Sequence, residues 1–179
     1  MTTTDPSIAA IRAAIRDVPD FPKPGIIFKD ITPVVGDAQL FQQAIDAFVA
    51  ASRGLKPDKI VGIDARGFLF GAAVAYELHT GFVPIRKKGK LPWRTESAAY
   101  ELEYGTAVAE MHADALQPGE RVVLIDDLLA TGGTAAAAIQ LIRKVGADLL
   151  EVQFLIELGF LNGRKNLGDA PVRAFINFE

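Results

Sequence analysis

Cysteine is absent from the 179 residues. That removes disulfide frameworks, thiolate zinc sites and cysteine nucleophiles together. Histidine is nearly absent: His79 and His112 are too few for a histidine-rich metal site. No apolar run approaches the roughly 20 residues of a membrane span. An excess of positive charge is also missing. A net charge of −3 gives no reason to expect general binding to nucleic acid. The opening MTTTDPSIAAIRAAIRD is interrupted by charge and reads as a surface helix, not a secretory leader. Repeats, low-complexity tracts and linkers are lacking as well. The expected location is the cytoplasm.

What is present suits a soluble globular chain. Half the residues are hydrophobic and 23% are charged. The length suits one domain over residues 1–179. Thr4-Asp5-Pro6 reads as a helix start, with Thr4 or Asp5 as the cap, and the helix is expected to reach about Asp17, where DVPDFPKPG ends it. IIFKDITP is a short extended piece. Asp37 is placed to cap a helix whose apolar stripe runs through Leu40, Phe41, Ala44, Ile45, Phe48 and Val49. From residue 59, short apolar strands alternate with helices: KIVGI (59–63), GFVPI (81–85), RVVLI (121–125), LLEVQFLIEL (149–158) and finally VRAFINF (172–178). This alternation predicts an α/β fold, a mostly parallel twisted sheet flanked by helices. RKKGKLPWRTESA (86–98) lacks apolar periodicity and reads as a mobile loop. YELEYGTAVAEMHADAL alternates like a strand or a hairpin-like pair with Gly105 at its bend. Ligands of such sheets bind beyond the carboxyl ends of strands. That directs attention to GIDARG, IRKKGK and IDDLLATGG.

The last of these carries the sharpest signal. In VVLIDDLLATGGT (122–134) a buried strand runs into Asp126 and Asp127, and the chain then opens a helix through Ala130, Thr131, Gly132, Gly133 and Thr134. Glycines at a helix N-terminus bring backbone N–H groups and the positive dipole end to an anion. No lysine follows them, so the loop is not a Walker A motif, and it is not GxGxxG either. The two aspartates would repel that anion at short range, but they can accept hydrogen bonds from hydroxyls or help hold Mg²⁺. One ligand meets both demands: a sugar phosphate, with phosphate in the loop and diol on the acids.

The other clusters are weaker when read alone. Asp64 and Arg66 read as a turn-stabilising ion pair, RKKGK as a solvated basic loop, YELEYG as an amphipathic strand with a wet acidic face, and FPKPGIIFKD as a loop packing aromatic residues. In combination they mean more. VVLIDDLLATGGT resembles the phosphoribosyl diphosphate (PRPP) motif of the type I phosphoribosyltransferases. DFPKPGIIFKDITP, GIDARGFLFG, RKKGKLP and YELEYG resemble segments of the adenine phosphoribosyltransferase branch, in that family's order, over residues 20–134.

The resemblance implies a type I phosphoribosyltransferase fold with a small hood over about 18–36, a mobile catalytic loop over about 86–104 and the PRPP motif at 122–134. It implies transfer of the phosphoribosyl group from PRPP to adenine, giving AMP and pyrophosphate. Phe28 would stack on adenine while the backbone of Ile27 and Lys29 reads its edge. Asp64, Ala65 and Arg66 would receive the pyrophosphate, with a peptide before the arginine that is often cis in the family, here Asp64–Ala65. Arg86 and Lys87 would neutralise the leaving group, and Arg66 also counts as catalytic. Glu103 would be the general acid/base at N7, and Tyr104 would belong to the lid. Magnesium would come with the substrate, with no metal held directly by the protein. A homodimer with shared sites is implied, because a basic residue of this loop reaches the neighbouring subunit's site in related enzymes. Two other readings are a 6-oxopurine phosphoribosyltransferase and a PRPP-sensing regulator. The first commonly uses a lysine near O6. The second usually carries a DNA-binding segment, for which the first 20 residues are too short.

Overall fold

Pro6 occupies the first turn of the first helix, where its missing N–H is no loss, and Asp5 accepts the Ser7 N–H at 2.9 Å as its cap. A computed structural model describes residues 5–102 and 105–179. Helix α1 covers Pro6–Ala14 and ends before Asp17, because Arg16–Pro19 forms a strand (β1) that pairs antiparallel with β2, Ile27–Asp30. The pairing partner lies about ten residues away, so local helical periodicity overstates the helix. The connecting turn is held by Gly25 N–H on Asp20 at 2.7 Å. Next comes a short helix α2 (Thr32–Gly36), again with proline in its first turn. Asp37 accepts the N–H groups of Gln39 (3.0 Å) and Leu40 (2.9 Å), which opens α3 (Ala38–Arg53) as expected. The chain groups into two compact units, one up to Ala47 and one from Phe48 to Glu179.

In the second unit, β3 (Lys59–Ile63), β4 (Gly81–Lys87), β7 (Arg121–Leu129), β8 (Asp148–Leu158) and β9 (Val172–Phe178) run parallel, and β5 (Thr95–Leu102) and β6 (Gly105–His112) form an antiparallel pair at one edge. The order is β5-β6-β4-β3-β7-β8-β9, with β6 antiparallel to β4. Side chains alternate across this sheet with the strand period of two. In β3, Val61 and Ile63 pack in one core with Ala135, Ala138, Ile139 and Ile142 of α5 (Gly133–Lys144). Gly62 turns the opposite way, toward the rings of Phe68 and Phe82, and α4 (Gly67–Leu78) covers that side. The mostly parallel sheet with helices on both faces is the expected architecture.

The stretch expected as loop over 86–98 is strand at both ends. Residues 86–87 complete β4, β5 begins at Thr95, and only the residues between them lack regular structure. Small residues disguise the alternation: Ala98 and Tyr100 point inward while Ser97 and Ala99 are exposed. Beyond β8 lie two 3₁₀ turns, Gly159–Leu161 and Gly163–Leu167. No helix among the described residues is long and apolar enough to cross a membrane.

Candidate active site

Three strand ends converge at the carboxyl edge of the sheet. β3 delivers Asp64, Ala65 and Arg66; β4 ends in Arg86 and Lys87; β7 carries Asp126 and Asp127 into residues 130–134. All of these line one cavity of about 480 Å³. Gly132, at φ +86°, lets the chain turn sharply into α5, and no side chain caps that helix. The first-turn N–H groups therefore keep their donors for a ligand, and the helix dipole adds positive potential. The anion-binding half of the motif and its acidic half share a single cavity.

The ion pairs differ from those expected of an isolated turn. Asp64 does not bond Arg66. Arg86 Nε instead donates to Asp64 Oδ2 at 3.0 Å, and Arg66 Nε lies 2.7 Å from Asp127 Oδ2. Arg66 faces β7 rather than its own turn. The Asp64–Ala65 peptide is cis. Arg86 also donates to the carbonyl of Lys90 at 3.2 Å.

Asp127 is almost wholly buried, and its N–H donates to Asp126 Oδ1 at 2.9 Å. Burial pushes the Asp126 carboxyl well up from the ordinary range, and the neighbouring Asp127 charge pushes it further. Burial raises Asp127 as well, but Arg66 opposes that rise. Both carboxyls are therefore shifted up, Asp126 the further, and they titrate as one coupled pair beside Arg66.

Two contributors were not singled out by sequence reasoning. Gly67 begins α4 so close to β7 that an added Cβ would lie 2.7 Å from Asp126 Oδ1 and 2.9 Å from the Ile125 carbonyl oxygen. Its signal was its place, directly after Arg66 at a strand–helix turn. Glu110 is buried on β6 and accepts the Gly89 N–H at 2.9 Å, which fixes the RKKGK turn. A lone acid in the apolar run TAVAEMH was the available clue.

Ile27, Phe28 and Lys29 belong to β2 of the first unit. There Phe28 meets Phe21 edge-on at 5.2 Å, and Lys29 pairs with Asp17 at 2.6 Å. Glu103 and Tyr104 lie outside the described residues. Among the described residues, no three His, Cys, Asp or Glu side chains gather into a metal-binding group.

Known proteins resemble this chain over most of its length. Residues 35–166 match the phosphoribosyl transferase domain. The adenine phosphoribosyltransferase of Anaeromyxobacter dehalogenans is 55% identical over 169 residues, which span 94% of this chain and 98% of that protein. The crystal structure of adenine phosphoribosyltransferase from Thermoanaerobacter pseudethanolicus superposes with a TM-score of 0.93 at 51% identity, covering 96% of this chain and 99% of that one. The Saccharomyces cerevisiae enzyme, complexed with an imino-altritol bisphosphate and adenine, gives 0.92 at 43% identity over 95% of this chain and 98% of its own. The chain belongs to the adenine phosphoribosyltransferases, within the type I phosphoribosyltransferase family.

Proposed function

We infer that this chain transfers the 5-phosphoribosyl group from PRPP to adenine, giving AMP and pyrophosphate, the reaction of purine salvage. The observation that carries the reading is one cavity holding a helix-N-terminal glycine loop, two adjacent aspartates and two arginines. The yeast relative, complexed with adenine, supports adenine as the base.

Each part of the substrate has residues suited to it. The 5-phosphate sits on residues 130–134, whose N–H groups and hydroxyls suit an anion. Asp126 and Asp127 accept from the ribose hydroxyls. Arg66, Arg86, Lys87 and the backbone of Asp64 and Ala65 receive the diphosphate. The arginines then exchange their carboxylate partners for phosphate oxygens, a bidentate geometry arginine favours. Two neighbouring carboxylates are too few for a protein cage around Mg²⁺, and this suits an ion that keeps waters and substrate oxygens as ligands. Magnesium brought in with the substrate would further neutralise the leaving group.

As the C1′–O bond lengthens, the ribose gains positive charge, which Asp126 or Asp127 stabilises across the cavity. Adenine N9 forms the new bond to C1′ from the opposite face, and the bond electrons leave with pyrophosphate. Glu103 takes the N7 proton and returns it in the reverse direction. Phe28 stacks on the purine, and the backbone of Ile27 and Lys29 reads its edge. Adenine offers a donor at N6 and an acceptor at N1, whereas a 6-oxopurine reverses both and leaves groups unpaired. Closure of the segment that follows β4, including Tyr104, keeps water from PRPP. The functional unit is one domain over 1–179 with its hood at 18–36, working in the cytoplasm as a homodimer with shared sites.

The deciding assay supplies PRPP and Mg²⁺ with adenine, hypoxanthine or guanine side by side. Adenine alone should be converted efficiently. Preference for a 6-oxopurine favours that branch, and PRPP binding without any product favours a regulator. In the same assay Glu103→Gln should lower kcat at least ~100-fold, the usual weight of a general acid/base, with PRPP binding nearly intact. Unchanged turnover removes Glu103 from the mechanism.

A further inference from the structure

The phosphate loop has a second side, turned away from the cavity. It is covered by the turn after β8. Asn162 takes a left-handed conformation at φ +54°, which sets Gly163 directly against the loop. A Cβ on Gly163 would collide with the Ala130 carbonyl oxygen and stand 3.1 Å from Leu129 Cδ1. The approach is mutual, because a Cβ on Gly132 would collide with the Gly163 carbonyl oxygen. Asn166 Nδ2 then donates to the Thr131 carbonyl at 2.7 Å.

This turn is itself fastened. Arg164 places Nε and Nη2 on the two Glu157 oxygens at 2.8 and 2.7 Å, and Nη1 donates to the Val172 carbonyl at 3.1 Å. Leu167 is buried in the same core as Leu129.

Peptide geometry gives these contacts a function. In a trans peptide the C=O and N–H point in opposite directions. Holding the Ala130 and Thr131 carbonyls against residues 163–166 turns the Thr131 and Gly132 N–H groups the other way, toward the cavity these residues line. A peptide flip there would present a carbonyl oxygen to the substrate's phosphate, where like partial charges repel.

We propose that Gly163 and Asn166 are positioning residues that lock the peptide planes of the phosphate loop, so that they determine affinity for the phosphoribosyl substrate and not for adenine. The proposal rests on the transferase reading for its substrate, but its physical core is phosphate binding.

The test measures ribose 5-phosphate binding by calorimetry together with the KM values for PRPP and adenine. Asn166→Asp keeps the side-chain shape and loses the donor; Asn166→Ala removes both. Both should weaken ribose 5-phosphate binding and raise the PRPP KM by roughly 3- to 10-fold, the weight of one lost hydrogen bond. The adenine KM should stay within about twofold of wild type, as expected of a site the brace does not touch. Gly163→Ala should exceed both if it folds, and the Asn166 pair decides the matter if it does not. Ribose 5-phosphate affinity and PRPP KM equal to wild type in both Asn166 variants overturn the proposal. A fall in kcat with both KM values unchanged also overturns it, because that reports a general structural role. Wild-type protein that binds ribose 5-phosphate but does not convert adenine refutes the transferase reading and leaves the calorimetric comparison decisive for the brace.

Discussion

At the scale of single residues, the acid pair is the least comfortable feature of the second unit. Asp126 is pushed up by burial first and then by the Asp127 charge. Its folded-state pKa thus lies above its unfolded value, so the folded chain holds the extra proton between the two. Stability falls as pH rises through that window and stays reduced above it. Asp126→Asn removes the titration, and thermal melting at pH 7–8 should shift up by a few degrees, about 2–4 °C for each 1 kcal/mol relieved. The advantage should shrink as pH is lowered toward the ordinary carboxylate range, where wild-type Asp126 is protonated. PRPP turnover should fall in the same variant, since a group kept uncomfortable for function is lost. A melting curve equal to or below wild type at neutral pH, together with full turnover, would show that Asp126 carries neither burden. The motif made these two acids legible because a hydrophobic strand ending in adjacent carboxylates has little structural excuse. Their unequal roles were not legible, because the arginine that separates them comes from a turn 60 residues earlier.

At the scale of elements, the site depends on how closely α4 approaches β7. Gly67 sets that distance, and the Ile125 carbonyl it faces is backbone that cannot rotate aside. Gly67→Ala must push the start of α4 outward and carry Arg66 from Asp127. Overpacking of this kind costs about 1–3 kcal/mol. The expected outcome is a lower melting temperature and at least ~10-fold lower turnover. Wild-type kinetics in this variant would mean the Arg66–Asp127 geometry is dispensable. Elements with strong periodicity were readable in advance: β3 and α3 with its Asp37 cap lie where pattern and capping chemistry place them, and β7 starts at Arg121 as expected but runs on through both aspartates to Leu129. Those that failed depend on distant partners. β1 borrows its pairing from β2, so a helix was expected to run into it. The start of β5, Thr95–Ala98, fell inside the expected loop because its residues are mostly small, whereas the hairpin-like pair read from Tyr100 onward is present as β5 and β6. The brace at 163–166 left no periodic trace, since its content is a glycine and an amide fitted to a loop more than 30 residues earlier.

At the scale of the whole molecule, α4 presents an outward stripe at helical spacing. Leu69 is 44% exposed and Tyr76 is 77% exposed, with exposed Ala72 between them. Positions i, i+3 and i+7 share one helix face. Large apolar side chains left in water along such a face mark an interface more often than chance. The same helix begins at Arg66 and Gly67, so a partner docked on it would be coupled to the site's geometry through α4 itself. A homodimer using this face predicts a light-scattering mass of about twice the 19.2 kDa chain. Leu69→Glu with Tyr76→Glu should bring the mass to that of one chain, because two carboxylates on each copy would repel across a self-complementary contact. If sites are shared, turnover should fall with the mass while circular dichroism stays that of a folded protein. A fully active wild-type monomer at assay concentration would remove the dimer from the mechanism. A double variant that stays dimeric would move the interface to another face, since buried like charges at this one cost more than a stable contact can absorb.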